Sequence, residues 1–414
     1  MLQTFHMNCR ACLAPLTDIF LDLGFAPPSN AYLSADGLNK VERYYPLKLY
    51  VCANCLLVQT QYDVAPEELF AQDYAYLSST SQSWLTHAAR YASQISKQLK
   101  LTPNHFVVEV GANDGYLLQH FVAKGIPCLG IEPTLSTAEI AKQKGIPIKH
   151  GFFSAVLAQE LRQDGRTADL IVGNNVYAHV PDINDFTLGL KLLLNISGTI
   201  TLEFPHLMSL IKHQACDTVY HEHYSYLSLY SVTKIFSEAG LRIWDVKALP
   251  THGGSIRIYG CHQEDDREDT LAVAGLLEQE NSIGLHELAG YFQFQAVSEK
   301  VKDSLIAFLI ELKQKGTSVA AYGAAAKGNT LLNFAGIKPD LLPYVCDAAL
   351  SKQGKFMPGS HIPIVSPERL QETKPQVVLI LPWNIAEEIV MEQALIKSWG
   401  GRFVVAIPEI RYLD

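Results

Sequence analysis

From about residue 80 the sequence falls into an alternation that few architectures accommodate. SWLTHAARYASQISKQL has helical periodicity, HFVVEVGAND reads as a buried strand running into a turn, and GYLLQHFVAKG as a helix. PCLGIEPT (strand), STAEIAKQKG (helix), ADLIVGNN (strand), NDFTLGLKLLL (helix) and GTITLEFP (strand) follow. Apolar strands separated by helices are covered on both faces, which calls for a parallel, doubly wound sheet. RIWDVKAL and SIRIYGCH then read as a closing β-pair. After a long, largely helical stretch, LHELAGYFQFQAVSEKVKDSLIAFLIELKQKG, the alternation resumes through SVAAYGAA, KGNTLLNFAG, LPYVCDA, HIPIVSP, QVVLILP and FVVAIPE. Two α/β domains packed face to face are expected, with a ligand cleft between them.

Ahead of this region the cysteines are unevenly placed. Of eight, four form two pairs, Cys9/Cys12 and Cys52/Cys55, and the others are scattered singly. The second pair lies between PLKLYV and LLVQTQY, two strand-like stretches, so it occupies the turn of a hairpin. Backbone N–H groups in such a turn point at the thiolates, and two turns complete a tetrahedral four-cysteine zinc site. Four cysteines leave no open coordination position, so the zinc is expected to be structural; a redox or disulfide pair is the alternative reading. The fold class is therefore α/β: a small N-terminal zinc-binding domain (1–72) plus two Rossmann-like doubly wound α/β domains (73–280 and 281–414).

A net charge of −9 argues against a nucleic-acid partner, because phosphate binding needs a basic face. No apolar run approaches the length of a membrane span, and the N-terminus MLQTFHMNCRAC lacks the basic and apolar regions of a signal peptide. The expectation is a cytoplasmic protein, a monomer or small homo-oligomer, with no membrane partner.

The turn after the first strand, VVEVGANDGYLL, carries Glu109, Gly111, Asn113, Asp114 and Gly115. It is not the G-x-G-x-x-G dinucleotide fingerprint, and it fits better the E/D-x-G-x-x-x-G form used by S-adenosylmethionine (SAM) methyltransferases. There the glycines admit the methionine part of the cofactor and a carboxylate meets its ammonium. Glu132, ending the second strand, is placed to accept from both ribose hydroxyls. Phe153, in GFFS, offers a ring for adenine, and Asn174 and Asn175 end a strand beside the methyl donor. A nicotinamide-dependent enzyme is the alternative.

VYHEHYSYLS (219–228) concentrates titratable groups in a chain that is only 18% charged. In an extended strand His221 and His223 would share one face, opposite Glu222, so Glu222 and His223 can act together only if the segment turns. HEHYS is not H-E-x-x-H, which disfavours a catalytic zinc here.

CRAC with CANC, DYAYLSS, VEVGANDG, NNVYAHV, YHEHYSY, HGGSIR and YGAAAKGNTLLN together resemble the SAM-dependent sugar C-methyltransferases, which act on nucleotide-linked keto-deoxysugars. The resemblance spans essentially the whole chain. It implies methylation of a ring carbon next to a ketone, usually C-3 beside a C-4 ketone, with His223 as general base and Glu222 and Tyr220 orienting or stabilising. His179 would face the same pocket, and Tyr74 and Tyr76 would reach in from the end of the first domain. In the third domain Lys327, at a helix N-terminus, suits the pyrophosphate of a nucleotide sugar; Asn329, Arg257, His252 and Asn384 are further substrate-binding candidates. O- or N-methylation of a related sugar, or a zinc-containing SAM-binding module without catalysis, are the rival readings.

Overall fold

The computed structural model describes residues 7–60 and 77–413. Tyr74 and Tyr76 lie outside the described residues. The N-terminal region contributes β1 (Asp18–Ala26), β2 (Tyr45–Val51) and β3 (Val58–Thr60). The middle region supplies β4 (Val107–Val110), β5 (Cys128–Glu132), β6 (Ile148–His150), β7 (Ala168–Asn174) and β8 (Leu194–Pro205). It continues with β9 (Ser225–Tyr226), β10 (Leu241–Leu249) and β11 (Ser255–His262). The last region holds β12 (Val319–Tyr322), β13 (Val345–Cys346), β14 (Ile364–Val365), β15 (Val377–Ile380), β16 (Arg402–Val405) and β17 (Arg411–Leu413).

The middle sheet runs β10-β11-β8-β7-β4-β5-β6. Its strands are parallel except β11, which pairs antiparallel with both β8 and β10. The expected closing β-pair is thus present, with one of its strands threaded into the sheet. All four residues of β4 and all five of β5 are buried, as a sheet covered on both faces requires. Edge strand β6 and helix Ala155–Gln163 fall where the pattern showed only a connection. The strand is three residues long and more than half exposed in character, so it leaves no apolar run. The helix expected over GYLLQHFVAKG shrinks to Gln119–Val122, because Asn113 and Gly115 both hold positive φ and the chain turns before it can coil.

The chain steps outward from β4 in both directions, to β5 on one side and to β7 on the other. The carboxyl ends of β4 and β7 therefore open a crevice, the position where doubly wound sheets bind ligands. The last sheet repeats this plan in shorter strands, β14-β13-β12-β15-β16-β17, parallel except for β17.

The first sheet is not self-contained. Its order is β1-β2-β3-β9, and β9 belongs to the middle region. Val58 pairs with Tyr226 and Gln59 with Ser225, so the cysteine-bearing hairpin is hydrogen-bonded to the residues that follow His223. Among the described residues no helix is long and apolar enough to cross a membrane.

Candidate active site

Two knuckles of the same shape bring the paired cysteines together. In the first, Leu13 N–H donates to Cys9 C=O at 2.9 Å; in the second, Leu56 N–H donates to Cys52 C=O at 2.9 Å. Leu13 and Leu56 both sit at positive φ, 60° and 61°. Cys9 and Cys55 Sγ are 3.5 Å apart, Cys12 and Cys52 Sγ 3.4 Å, and all four sulfurs lie within 4.8 Å of one another. Zn–S bonds of about 2.3 Å in a tetrahedron demand spacings of this size, so the residues fit a structural zinc. The Gln59 amide, donating to Cys9 Sγ at 3.1 Å, ties the cluster to β3.

At the crevice of the middle sheet, Glu132 accepts from Asn113 N–H and Thr134 N–H, each at 2.8 Å, which fixes its carboxylate across the glycine turn. Gly111 holds φ +68°, and a Cβ there would stand 2.4 Å from Val176 Cγ2; at Gly115, φ +77°, it would stand 2.2 Å from Ile146 Cδ1. Both glycines are thus required by the protein's own packing. Asp114 is held by Ser79 and Lys144, so its charge already has a protein partner. Glu109 is wholly buried at the end of β4; burial, then the neighbouring Glu132 and Asp114, push its carboxyl well above the usual range. The Phe153 ring packs edge to face on Phe186 at 5.1 Å, whereas Phe152 is left 49% exposed.

Asn174, the last residue of β7, is buried, and neither of its amide atoms has a hydrogen-bond partner among the described residues. Such orphaned groups are costly in a folded interior, and a cofactor bound at the crevice would supply partners. That observation, with the Glu132 carboxylate two strands away, fits SAM. Neighbouring Asn175, at φ 54°, donates through Nδ2 to His252 Nε2 at 2.7 Å.

VYHEHYSYLS does turn. His223 N–H closes back on Tyr220 C=O at 3.0 Å, and the chain enters β9 two residues later. The Tyr226 hydroxyl, 3.2 Å from Tyr220 N, accepts from that N–H and staples the turn. The two histidines consequently part. His221 Nε2 points to Tyr45 C=O in β2, 3.3 Å away. His223 faces His179, with ring centroids 4.7 Å apart, and Tyr220, at 4.1 Å. His223 Nδ1–H donates to Thr218 C=O (3.2 Å), and His179 Nδ1–H to Glu222 C=O (2.8 Å). Each donation fixes a tautomer whose Nε2 carries the lone pair. Burial, then the neighbouring His179, push His223 well below its ordinary value; burial takes His179 to about 4. The buried Glu222 carboxyl is pushed up to about 7 and accepts from Asn30 Nδ2 at 2.7 Å.

The third region reaches this cluster through helix Ala326–Phe334, which packs on Cys216–Thr218 just ahead of the turn. Lys327 Nζ donates to His252 C=O at 3.1 Å and to Asn384 Oδ1 at 3.3 Å, over the ring of Trp383. Three substrate candidates, Lys327, His252 and Asn384, are therefore neighbours, and Lys327 is not a solvated surface lysine. Asn329, one residue beyond Gly328 in the same helix, is fully buried, and its amide has no hydrogen-bond partner among the described residues. Arg257 stands apart. It is 2% exposed, ion-paired with Glu203, and its guanidinium covers the Tyr91 ring. The phosphate role expected for Arg257 is corrected accordingly: the buried Glu203 charge takes up its own.

Sequence reasoning missed Asp217 and Asn30. Asp217 is fully buried two residues ahead of the quoted segment and accepts from Trp383 Nε1 at 2.9 Å; an aspartate inside the run ACDTVY was the available signal. Nothing in PPSNAY marked Asn30.

Three family models tile the chain: a zinc binding domain over residues 9–70, a methyltransferase domain over 84–246 and a C-methyltransferase C-terminal domain over 250–408. The C-methyltransferase NovU of Streptomyces niveus is 34% identical over 410 residues, covering 98% of this chain and 97% of that protein. Solved structures give partial likenesses. Magnesium protoporphyrin IX methyltransferase (ChlM) from Synechocystis PCC 6803 with bound SAH aligns with 43% of this chain and 83% of its own, at 15% identity and a TM-score of 0.34. The CcbJ methyltransferase from Streptomyces caelestis aligns with 42% and 89%, at 11% identity and a TM-score of 0.34.

Proposed function

Because this chain belongs to the family of SAM-dependent sugar C-methyltransferases, we propose that it methylates a ring carbon, C-3, beside the C-4 ketone of a nucleotide-linked deoxysugar. The product is a branched-chain sugar. When bound, SAM supplies an electrophilic methyl group. A ring carbon is no nucleophile until the proton alpha to the ketone is removed, so the chain must provide a base and a place for negative charge.

The neutral His223 imidazole carries this reading. Its Nδ1–H is committed to Thr218, which leaves the Nε2 lone pair as the acceptor for the alpha proton. Burial keeps the ring unprotonated between turnovers. Glu222 and Tyr220 flank the base and orient it. Lys327 supplies a positive charge felt at His223. The inward turn of its amine, onto His252 and Asn384, favours the enolate oxygen over the pyrophosphate as its target. Asn329, with an orphaned buried amide in the same helix, is a hydrogen-bonding group for the sugar. Glu132, Asn174 and Asn175 hold SAM at the crevice of the middle sheet, and the four cysteines hold zinc away from the chemistry.

The test is product analysis. Enzyme and SAM are incubated with dTDP-, CDP- and GDP-linked 4-keto-deoxysugars, followed by mass spectrometry and NMR. A methyl carbon coupled to a quaternary ring carbon supports the proposal. A methyl on oxygen or nitrogen overturns it.

A further inference from the structure

The stretch between β1 and β2 touches more of the molecule than its place in the cysteine-bearing region suggests. Ser29 Oγ lies 3.3 Å from Thr330 Oγ1, Tyr32 OH donates to Ala324 C=O at 2.6 Å, and Leu33 exchanges backbone hydrogen bonds with Phe356. Residues 29–33 are therefore strapped to the third region at both ends. Between these anchors Asn30 Nδ2 donates to Glu222 Oε1 at 2.7 Å, tying the first region to the site.

We infer that Asn30 is a positioning residue for methyl transfer: its amide orients the carboxylate of Glu222, the residue preceding His223, and favours its ionised form. This rests on the proposed roles of Glu222 and His223. The chemical argument is local. A hydrogen bond to the charged form of a buried carboxylate favours that form, and Asn30 is the donor that opposes the effect of burial on Glu222. Among the described residues, the other groups near Glu222 do not substitute for it. His179 bonds the Glu222 backbone carbonyl and not its carboxylate; His221 turns away to Tyr45. Tyr32, in the same strap, has its hydroxyl committed to Ala324. Lys327 lies across the cluster, bonded to His252 and Asn384. Because the strap grips the helix that carries Lys327 and Asn329, it also couples the substrate-binding region to the alignment of the base.

Two variants test this. Asn30→Ala removes the donor; Asn30→Asp keeps the shape of the side chain, and the Tyr32 contact at Asn30 Oδ1, while losing the amide. Both are compared with wild type for kcat, KM for SAM and the pH–rate profile, with zinc content and circular dichroism as folding controls. The expected result is a fall in kcat of about tenfold, the size of one hydrogen bond to a charged group. KM for SAM stays unchanged and the acid limb moves to higher pH. In a Glu222→Gln background Asn30→Ala should cause no further loss. An unmoved acid limb, or an equal loss in the Glu222→Gln background, overturns the inference. Failure of the underlying reading shows separately: wild-type enzyme would then not exchange the alpha proton of the keto-sugar with solvent at all.

Discussion

The His179 and His223 rings meet edge to face at 4.7 Å, each with Nδ1–H committed to a backbone carbonyl. Two imidazoles so close, in a site that desolvates both, cannot be protonated together without strong repulsion. His223→Gln should lower kcat by about 10²- to 10⁴-fold, the usual contribution of a general base. His179→Gln should cost less, about tenfold, and should raise the pKa of His223 by removing a neighbour that depresses it. Steady-state kinetics, with NMR titration of the His223 ring, checks both.

Glu222 offers a stability prediction whose sign runs against its proposed role. Its folded-state pKa of about 7 lies above the ordinary 4.5. The protonated form therefore favours the folded state, fully so below about pH 4.5, and that contribution disappears as pH rises through 7. The displacement corresponds to about 3 kcal/mol. Glu222→Gln should thus be catalytically impaired yet melt at a higher temperature than wild type at pH 8, with the difference vanishing near pH 4.5. Thermal unfolding at the two pH values reads this directly.

The cysteine cluster sits far from His223 in sequence, yet β3 joins it to β9, and Thr60 N–H donates to Tyr224 C=O at 3.1 Å. Stripping zinc with a chelator, or Cys52→Ser, should lower the melting temperature and kcat together. Metal analysis should return one zinc per chain before treatment. A fully active zinc-free protein would show that the hairpin holds its register unaided.

The orphaned amide of Asn174 has opposite consequences for the free and liganded protein. Asn174→Leu removes a buried, unsatisfied group, so the free protein should be no less stable, by about 1 kcal/mol in its favour. SAM affinity should fall by roughly tenfold or more, since a hydrogen-bonding partner of the ligand is lost. Calorimetric titration with SAM and a melting curve of the free variant separate the two effects.

The parts of this molecule that were legible beforehand are those governed by local pattern. Buried strands such as VVEV and CLGIE announced a parallel sheet, and CxxC in a hairpin turn announced a metal knuckle, because in each case the constraint lies within ten residues. What stayed hidden depended on distant partners. Strand alternation put His221 and His223 on one face; the turn from Tyr220 to His223, stapled by Tyr226, sends them to different neighbours. Arg257 looked available for phosphate because Glu203, fifty-four residues earlier, gave no sign of being its partner. The edge-to-face contact of Phe153 with Phe186 was equally out of reach, because thirty-three residues separate the two rings. Asn30 could not be found at all, since its partner Glu222 lies 192 residues away in the chain.

In the proposed mechanism His223 removes the proton alpha to the ketone before the methyl group arrives. This step is tested most directly by NMR of the keto-sugar incubated in heavy water with enzyme and S-adenosylhomocysteine, which cannot donate a methyl. Wild-type enzyme should replace the alpha proton with deuterium, and His223→Gln should not. A wild-type enzyme that leaves the proton in place, or a variant that exchanges it as fast as wild type, would contradict the account.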